Sequence, residues 1–273
     1  MPDLYAVIGN PISHSKSPLI HAEFSKQTDQ NMRYEAILAP PDGFSVAVEA
    51  FRKFGGRGMN VTIPFKLEAC KISTRLTERA AAAQAVNTLV FDNDEILGEN
   101  TDGIGLVRDI VSNLDFIITG KRVLLMGAGG AASGALLPLL EHQPKMLTIA
   151  NRTKQKAIEL QQRFAEYNFV IPADYADLAG HEFDIVINAT SASLNGKLPS
   201  LPPCIFAAES LAYDMMYGSG PTPFLQFARQ QGAVHLSDGI GMLVEQAAES
   251  FYLWRGVRPQ TAPVMALLRG AAQ

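Results

Sequence analysis

One segment near the middle of the chain constrains its fold more than any other. Residues 122–140 read RVLLMGAGGAASGALLPLL, an apolar strand-like run followed by Gly127, Gly129 and Ala132 in a GxGxxA pattern and then a helical run. A residue without a side chain lets the backbone approach a pyrophosphate closely, and the free NH groups that begin the helix favour its negative charge. The segment therefore predicts a dinucleotide site, and not only a tight turn.

Apolar runs that alternate with helical stretches extend this pattern over the chain. In the first hundred residues the runs are 5–9, 34–39, 58–63 and 87–91, and a second series consists of 122–126, 146–150, 169–171, 183–189 and 209–215. Short apolar strands separated by helices are typical of a doubly wound parallel sheet. At 273 residues the chain is long enough for two domains of about 100 to 150 residues each. We predict an α/β protein of two domains, the second of them Rossmann-type.

The residues after the second strand of this second domain indicate which dinucleotide is bound. NAD enzymes usually place an acidic residue there, where its carboxylate accepts from the ribose hydroxyls. Here the strand is followed by Asn151, Arg152, Thr153, Lys154 and Lys156. A guanidinium can bind a 2'-phosphate through paired hydrogen bonds, whereas a carboxylate would repel it. The sequence thus predicts NADP(H) rather than NAD, and the alternative is a solvated charge cluster at the start of a helix.

The overall charge and composition argue against several other classes of protein. The net charge of -4 leaves no basic excess to neutralise nucleic acid. The N-terminus lacks the basic start and apolar core of a signal peptide, and no run approaches the roughly 18 apolar residues of a membrane span. Cys70 and Cys204 lie far apart and the five histidines are scattered. We therefore expect a cytoplasmic protein with neither a disulfide nor a metal site.

Four polar clusters in the first hundred residues are hard to explain by packing alone. They are SHSKSP at 13–18, NVTIPFK at 60–66, AVNT at 85–88 and ENTDG at 99–103. Three of them closely follow or interrupt predicted strands, and ligands of open α/β sheets bind beyond the carboxyl ends of strands. Their hydroxyl, amide, ammonium and carboxylate groups match a polyhydroxylated substrate that carries a negative charge. We expect the clusters to converge on one pocket.

The boundary between the two domains is predicted just after the last of these clusters. Residues 1–103, completed by 240–273, would form the substrate-binding and catalytic domain, and residues 104–239 the cofactor-binding domain. Gly103 and Gly105 precede a helical stretch, which suggests a glycine hinge that permits closure. Apolar residues within 237–257 recur at near-helical spacing, so we expect the C-terminal helices to pack back on the first domain.

Eight motifs together resemble the shikimate dehydrogenase family. In chain order they are GNPISHSKSP, GMNVTIPFK, AVNT, GENTDG, GAGGAA, NRT, YDMMYG and DGIGMLVEQAA. GAGGAA alone would not be specific, but the set has the family's order and spacing over nearly the whole chain. The resemblance implies reversible NADPH-dependent reduction of 3-dehydroshikimate to shikimate, within aromatic amino acid biosynthesis.

The resemblance also implies roles for individual residues. Ser15 and Ser17 would bind the substrate carboxylate. The ring hydroxyls would be bound by Thr62, Asn87, Asp102 and Gln246, Tyr217 would also contact the substrate, and Lys66 would be catalytic together with Asp102. The residues that match cofactor-binding positions are Glu78, Gly127, Ala128, Gly129, Gly130, Ala131, Asn151, Arg152, Thr153, Lys154, Lys156, Met215 and Gly239. Of these, Met215 and Gly239 would lie near the nicotinamide. Glu78 matches by position only, because its carboxylate has no evident physical reason to contact the cofactor.

Lys66 has the chemistry that the implied reaction needs. Hydride passes from the nicotinamide to the ketone carbon, while a protonated group gives the developing alkoxide a proton. A lysine ammonium can donate this proton and stabilise the charge, and Asp102 would orient it and bind a neighbouring hydroxyl. Without the motifs, Lys66 would be interpreted as a surface lysine after a proline turn and Asp102 as a helix cap.

Two positions depart from the family pattern, and two other functions are compatible with the residues. Glu99 stands where Asp is more frequent, and Lys156 stands where Arg is common, which leaves Arg152 as the main phosphate ligand. The nearest alternative is a quinate dehydrogenase or a dual shikimate/quinate dehydrogenase. The alternative from another class is a non-catalytic NADP-binding sensor. We expect a monomer or homodimer that binds a small-molecule substrate but no nucleic acid and no membrane.

Overall fold

The computed structural model describes residues 1–190, 192, 198–218 and 220–270, which form two six-stranded sheets flanked by helices. The strands of the first sheet are β1 (Asp3–Gly9), β2 (Met32–Leu38), β3 (Gly56–Val61), β4 (Arg75–Leu76), β5 (Thr88–Asp92) and β6 (Glu95–Glu99), in the order β2-β1-β3-β5-β6-β4. Its helices are α1 (Ser17–Gln27), α2 (Phe44–Lys53), α3 (Lys66–Ile72) and α4 (Glu78–Ala83). β1, β2 and β3 are parallel, whereas β5 runs antiparallel to β3 and β6.

The second sheet is parallel throughout its described strands. They are β7 (Arg122–Met126), β8 (Met146–Ala150), β9 (Val170–Ala173), β10 (Phe183–Asn188), β11 (Phe206–Asp214) and β12 (His235–Ser237), in the order β12-β11-β10-β7-β8-β9. Counted along the chain this is 3-2-1-4-5-6, the Rossmann order. The helices are α5 (Asp102–Arg108), continued by a π-helical turn (Asp109–Asn113), then α6 (Gly130–Glu141), α7 (Lys154–Gln162) and α8 (Pro223–Gln230). The predicted α/β fold with a Rossmann-type second domain is confirmed.

Three strands were not predicted from the sequence. β4 and β12 have two and three residues, too short to show a periodic pattern. β6 (EILGE) mixes acidic residues with a glycine, and it forms because it pairs along its whole length with β5. All nine predicted apolar runs coincide with strands, and most of their apolar residues are buried, although Leu38, Ile63 and Ile171 are exposed.

The C-terminal helices α9 (Ile240–Arg255) and α10 (Ala262–Gly270) return to the first domain, as predicted. Val244, Ala248 and Phe251 of α9 share one buried apolar cluster with Ile20 and Phe24 of α1. The two Phe rings meet edge to face, with centroids 5.7 Å apart. This packing places α9 alongside α5 and the first sheet. Residues 271–273 of the predicted first domain lie outside the described residues.

The expectation of a glycine hinge after the ENTDG motif is wrong. Gly103 and Gly105 lie inside α5, and neither has a positive φ. A Cβ on Gly103 would lie 2.2 Å from the carbonyl oxygen of Gly134 in α6, and one on Gly105 would lie 2.7 Å from the backbone of Gln246 in α9. The two glycines therefore let three helices pack closely, and they fix the junction rather than loosen it.

Partly buried ion pairs join α4, α5 and α9. Oε2 of Glu249 accepts from Arg108 at 2.6 Å and also pairs with Arg258. Nη2 of Arg79 lies 3.5 Å from the Glu249 carboxylate. The Arg79 guanidinium also binds the Glu99 carboxylate in bidentate fashion, through Nη2 at 2.9 Å and through Nε. Glu99 is one of the two departures from the family pattern, and the Arg79 guanidinium neutralises the charge of its buried carboxylate.

His21 lies fully buried in the aromatic core of the first domain, where its ring stacks on Tyr34 at 4.1 Å. Burial lowers the pKa of His21 from its usual 6.5 to about 3. Below about pH 6.5 the unfolded chain gains a proton at this residue that the folded chain does not, so stability is lost as the pH falls. We expect a contribution of up to about 1.4 kcal/mol per pH unit between these two values.

His21→Phe should remove this contribution, because Phe fills a similar volume and does not titrate. Urea unfolding between about pH 4 and 7 measures the slope of the unfolding free energy. His181→Phe is the matched control, since His181 is exposed, and it should keep the slope of the parent protein. Equal slopes in the two variants would contradict the assignment of the acid sensitivity to His21.

Candidate active site

The four polar clusters lie at one end of the first sheet. β1 ends before the loop that carries Ser15, and β3 ends just before Thr62 and Lys66. Because β5 is antiparallel to β3 and β6, its start, next to Asn87, meets the carboxyl ends of both, and β6 then leads into Asp102 at the start of α5. Parallel and antiparallel strands thus deliver all four clusters to the same side of the molecule.

Lys66 and Asp102 form an ion pair at this end of the sheet. Nζ of Lys66 lies 2.5 Å from Oδ2 of Asp102, and their side chains are 26% and 11% exposed. Lys66 is the first residue of α3 and Asp102 the first residue of α5, so two helix starts bring the groups together. The carboxylate fixes the ammonium while about a quarter of the lysine side chain stays accessible. This geometry suits a group that must deliver a proton in a defined direction.

Asn87 links this pair to α9. Its buried Nδ2 lies 2.8 Å from Oδ1 of Asp102, 2.9 Å from Oγ1 of Thr101 and 3.3 Å from Oε1 of Gln246. Its Oδ1 accepts from the backbone NH of Thr101 at 2.9 Å. Both carboxylate oxygens of Asp102 are therefore engaged, one by Lys66 and one by Asn87, which fixes the rotamer of the carboxylate.

A second layer of buried polar groups was missed by the sequence reasoning. Nδ2 of Asn60 donates to Thr88 at 3.0 Å and to Ser250 at 2.9 Å, and its Oδ1 accepts from Tyr34 at 2.7 Å. Thr101 donates to Asn87 in the same network. Asn60, Thr88 and Thr101 stand inside three of the polar clusters, which could have indicated them. Ser250 lies one helical turn after Gln246 and carries no sequence signal.

The remaining predicted substrate ligands form no hydrogen bond to the Lys66–Asp102 pair within the described residues. The backbone NH of Ser17 donates to Oγ of Ser15 at 3.3 Å, so the two serines form one turn. Thr62 is half-buried directly after β3. Tyr217 follows β11 in the second domain and is 37% exposed. The contact of these residues with the substrate stays a prediction.

The glycine-rich segment after β7 has the shape that a pyrophosphate needs. Gly127 has φ +108°, a conformation that favours glycine, at the point where the strand turns into α6. Added Cβ atoms on Gly129 and Gly130 would meet nothing within 4 Å, so open space faces this loop. α6 begins at Gly130 and continues for 12 residues, with Ala128 and Ala131 half-buried beside the loop. The residues present fit a dinucleotide.

The basic loop lies next to this turn, because β7 and β8 are paired and both end there. Nζ of Lys154 lies 2.6 Å from Oδ2 of Asp177, and this hydrogen bond raises the pKa of Lys154. Nδ2 of Asn151 donates to the carbonyl oxygen of Thr153 at 2.9 Å. Arg152 and Lys156 are exposed and form no ion pair in the described part of the chain. Arg152 is thus available to a phosphate, whereas Lys154 is already paired.

Met215 and Gly239 are in direct contact at the carboxyl end of the second sheet. Both are buried, the backbone NH of Gly239 donates to Met216 at 3.1 Å, and a Cβ on Gly239 would lie 2.1 Å from the Met215 oxygen. Glu78 is exposed at the start of α4, and α4 packs on α6 through the bond from Ser133 to the carbonyl of Ala83. The involvement of Glu78 with the cofactor stays a prediction.

A dinucleotide cradle in one domain and a lysine–carboxylate pair in the other define a two-domain oxidoreductase of the dinucleotide-dependent class. Three family models match the chain: the shikimate dehydrogenase substrate binding domain at residues 7–89, shikimate/quinate 5-dehydrogenase at 107–195, and the shikimate 5'-dehydrogenase C-terminal domain at 239–269. The chain belongs to the shikimate dehydrogenase family, as its motifs predicted.

Individual relatives cover nearly the full length of the chain. The shikimate dehydrogenase (NADP(+)) of Nitrosospira multiformis is 67% identical over 271 residues, which is 99% of this chain and 98% of the relative. Among solved structures, an Ael1 enzyme from Pseudomonas putida has a TM-score of 0.94 at 51% identity and covers 97% of this chain and 98% of its own. Shikimate 5-dehydrogenase from Thermus thermophilus, solved with NADP(H) and shikimate, has a TM-score of 0.87 at 28% identity, with coverage of 99% and 100%.

Proposed function

We propose that this protein catalyses the reversible NADPH-dependent reduction of 3-dehydroshikimate to shikimate in aromatic amino acid biosynthesis. The observation that carries the proposal is the Lys66–Asp102 pair, held at 2.5 Å and partly exposed where three of the four polar clusters meet. The relatives reported above support the substrate and the cofactor, since they are named for NADP(+)-linked shikimate dehydrogenation. We place the enzyme in the cytoplasm, as a monomer or homodimer.

In the proposed mechanism Lys66 is the proton donor. Its ammonium gives a proton to the ketone oxygen as negative charge develops there, and in the reverse direction the neutral amine takes the hydroxyl proton. Asp102 orients Nζ through one oxygen, and Asn87 holds the other. NADPH, when bound, supplies the hydride. The chain's own contribution is therefore to position the ring and to move one proton at Nζ.

The other residues of the site are assigned to binding. We propose that Ser15 and Ser17 bind the substrate carboxylate and that the ring is bound by Thr62, Asn87, Asp102, Tyr217 and Gln246. Gly127–Ala131 in the turn would hold the pyrophosphate, Asn151–Lys156 the adenosine 2'-phosphate, and Met215 and Gly239 the nicotinamide. The proposed domains are 1–103 with 240–273, and 104–239, supported by the packing of α9 on α1.

The experiment that tests the function follows nicotinamide absorbance with purified protein. Shikimate and quinate are each offered with NADP and with NAD. Rapid NADP reduction with shikimate is expected. Turnover with quinate only would support the alternative dehydrogenase instead, and tight NADP binding without any turnover would support the sensor.

Arg152→Ala should lower the preference for NADP over NAD. Arg152 is exposed and unpaired among the described residues, and the loss of a charge-assisted contact costs about 1.5 to 3 kcal/mol, or roughly 10- to 100-fold in the ratio of the two kcat/KM values. Lys154→Ala is the matched control and should have the smaller effect, because its ammonium is paired with Asp177. An unchanged ratio in Arg152→Ala would remove this residue from the phosphate site.

A further inference from the structure

A buried carboxylate lies where the chain passes from the first domain to the second. Asp109 begins the π-helical turn that continues α5, and it is 1% exposed. Its Oδ2 accepts from the hydroxyl of Tyr213 at 2.6 Å, and its Oδ1 accepts from Asn113 at 2.9 Å. π-Helical turns inside α-helices occur frequently at functional sites. A buried carboxylate at such a turn calls for a specific role.

Tyr213 connects three elements through one hydroxyl. It is fully buried near the end of β11, and its hydroxyl oxygen also accepts from the backbone NH of Met242 in α9 at 3.3 Å. A Cβ on Gly241 would lie 2.0 Å from Oδ1 of Asp109, so the start of α9 packs directly on the carboxylate. The contact therefore ties the end of α5, the end of β11 and the start of α9 to one point.

The Asp109 carboxylate accepts its two side-chain hydrogen bonds from neutral groups, the hydroxyl of Tyr213 and the amide of Asn113. Glu245 of α9 shares the amide of Asn113 with Asp109, at 3.0 Å, and also accepts from Thr261. Burial raises the pKa of Asp109 and the charge of Glu245 adds to the rise, while Tyr213, Asn113 and the more distant Arg269 oppose it. Burial also raises the pKa of Tyr213 well above its usual range, so the phenol keeps its proton and remains the donor.

The three elements that meet here carry the groups of the proposed active site. α5 begins with Asp102, and α9 carries Gln246. Met215 directly follows the end of β11, and Gly239 directly precedes the start of α9. We propose that Tyr213 is a positioning residue, whose bond to Asp109 sets the spacing between the Lys66–Asp102 pair and the Met215–Gly239 contact. This inference rests on the proposed function. It assigns to Tyr213 no contact with substrate or cofactor.

The test compares Tyr213→Phe with Tyr167→Phe, which also deletes one phenolic hydroxyl in the second domain. The hydroxyl of Tyr167 makes no hydrogen bond within the described ranges. In Tyr213→Phe we expect kcat to fall about 10- to 100-fold, because a misalignment of about 1 Å has an effect of this size. The primary deuterium isotope effect on kcat should rise, measured with shikimate deuterated at the carbon that loses hydride. Tyr167→Phe should leave kcat and the isotope effect unchanged.

A second readout uses the protein without ligands. Amide hydrogen exchange of residues 239–244 should become faster in Tyr213→Phe and not in Tyr167→Phe. Asp109→Ala removes the other partner of this hydrogen bond, the acceptor carboxylate. It should also raise the isotope effect. If both Tyr213→Phe and Asp109→Ala keep the parent isotope effect, the proposal is overturned, even where their melting temperatures fall. An inactive parent enzyme would instead refute the proposed function, and the exchange rates would still report on the junction.

Discussion

Lys66→Ala is expected to lower kcat for shikimate oxidation by about a hundred- to ten-thousandfold, with a smaller change in KM. In the proposed mechanism the side chain supplies both the proton and the positive charge beside the developing alkoxide, and no other cation lies within ion-pair distance of Asp102 in the described part of the chain. Substrate binding should suffer less, because hydroxyl and amide groups of four clusters remain. Steady-state rates with saturating NADP measure the two constants.

Lys71→Ala is the matched control for this prediction. Lys71 lies on the same short helix, α3, but it is exposed and has no ion pair among the described residues. It should keep kcat within the scatter of the parent enzyme. A Lys66→Ala protein that keeps near-normal kcat would remove Lys66 from catalysis, whatever its KM.

Gly103→Ala is expected to destabilise the protein by at least about 2 kcal/mol, a large effect for the addition of one methyl group. Helix propensity alone predicts the opposite sign, since alanine is favoured over glycine in a helix by about 1 kcal/mol. The new Cβ would lie 2.2 Å from the Gly134 oxygen and 2.8 Å from Pro138, so α5 and α6 must separate. Because Asp102 precedes Gly103, kcat should fall as well.

Denaturant unfolding measures this loss, and Gly270→Ala is its control. Gly270 lies at the end of α10, where an added Cβ would meet nothing within 4 Å. That variant should stay within about 0.5 kcal/mol of the parent protein. A stabilised Gly103→Ala protein would contradict the close packing of α5 on α6 at this glycine.

Much of the fold could be predicted because its signals are local. Apolar runs of five or so residues, spaced by helical stretches, mark buried strands in the sequence itself. The turn around Gly127 was also predictable, since a strand, a GxGxxA pattern and a helix follow one another directly. The site residues were reached differently, through eight motifs that resemble one family. Chemistry alone would have left Lys66 and Asp102 as a surface lysine and a helix cap.

What the fold decided lies between residues far apart in the chain. Asn87 meets Asp102 across 15 residues and Gln246 across 159, and Asn60 meets Ser250 across 190. A hydrogen bond between residues far apart in the chain leaves no periodic pattern in the sequence, so local patterns cannot predict it. The same holds for Tyr213 and Asp109, which are separated by 104 residues.

The glycines show the division between sequence and structure most clearly. The two-domain α/β fold, the dinucleotide turn and the family could be predicted without a structure, because apolar period, glycine spacing and motif order are properties of the chain alone. The sequence could not distinguish Gly127, which needs a positive φ of 108°, from Gly103, which needs room for a neighbouring helix. The folded chain distinguishes the two glycines, since the role of an absent side chain depends on which atoms the fold brings next to it.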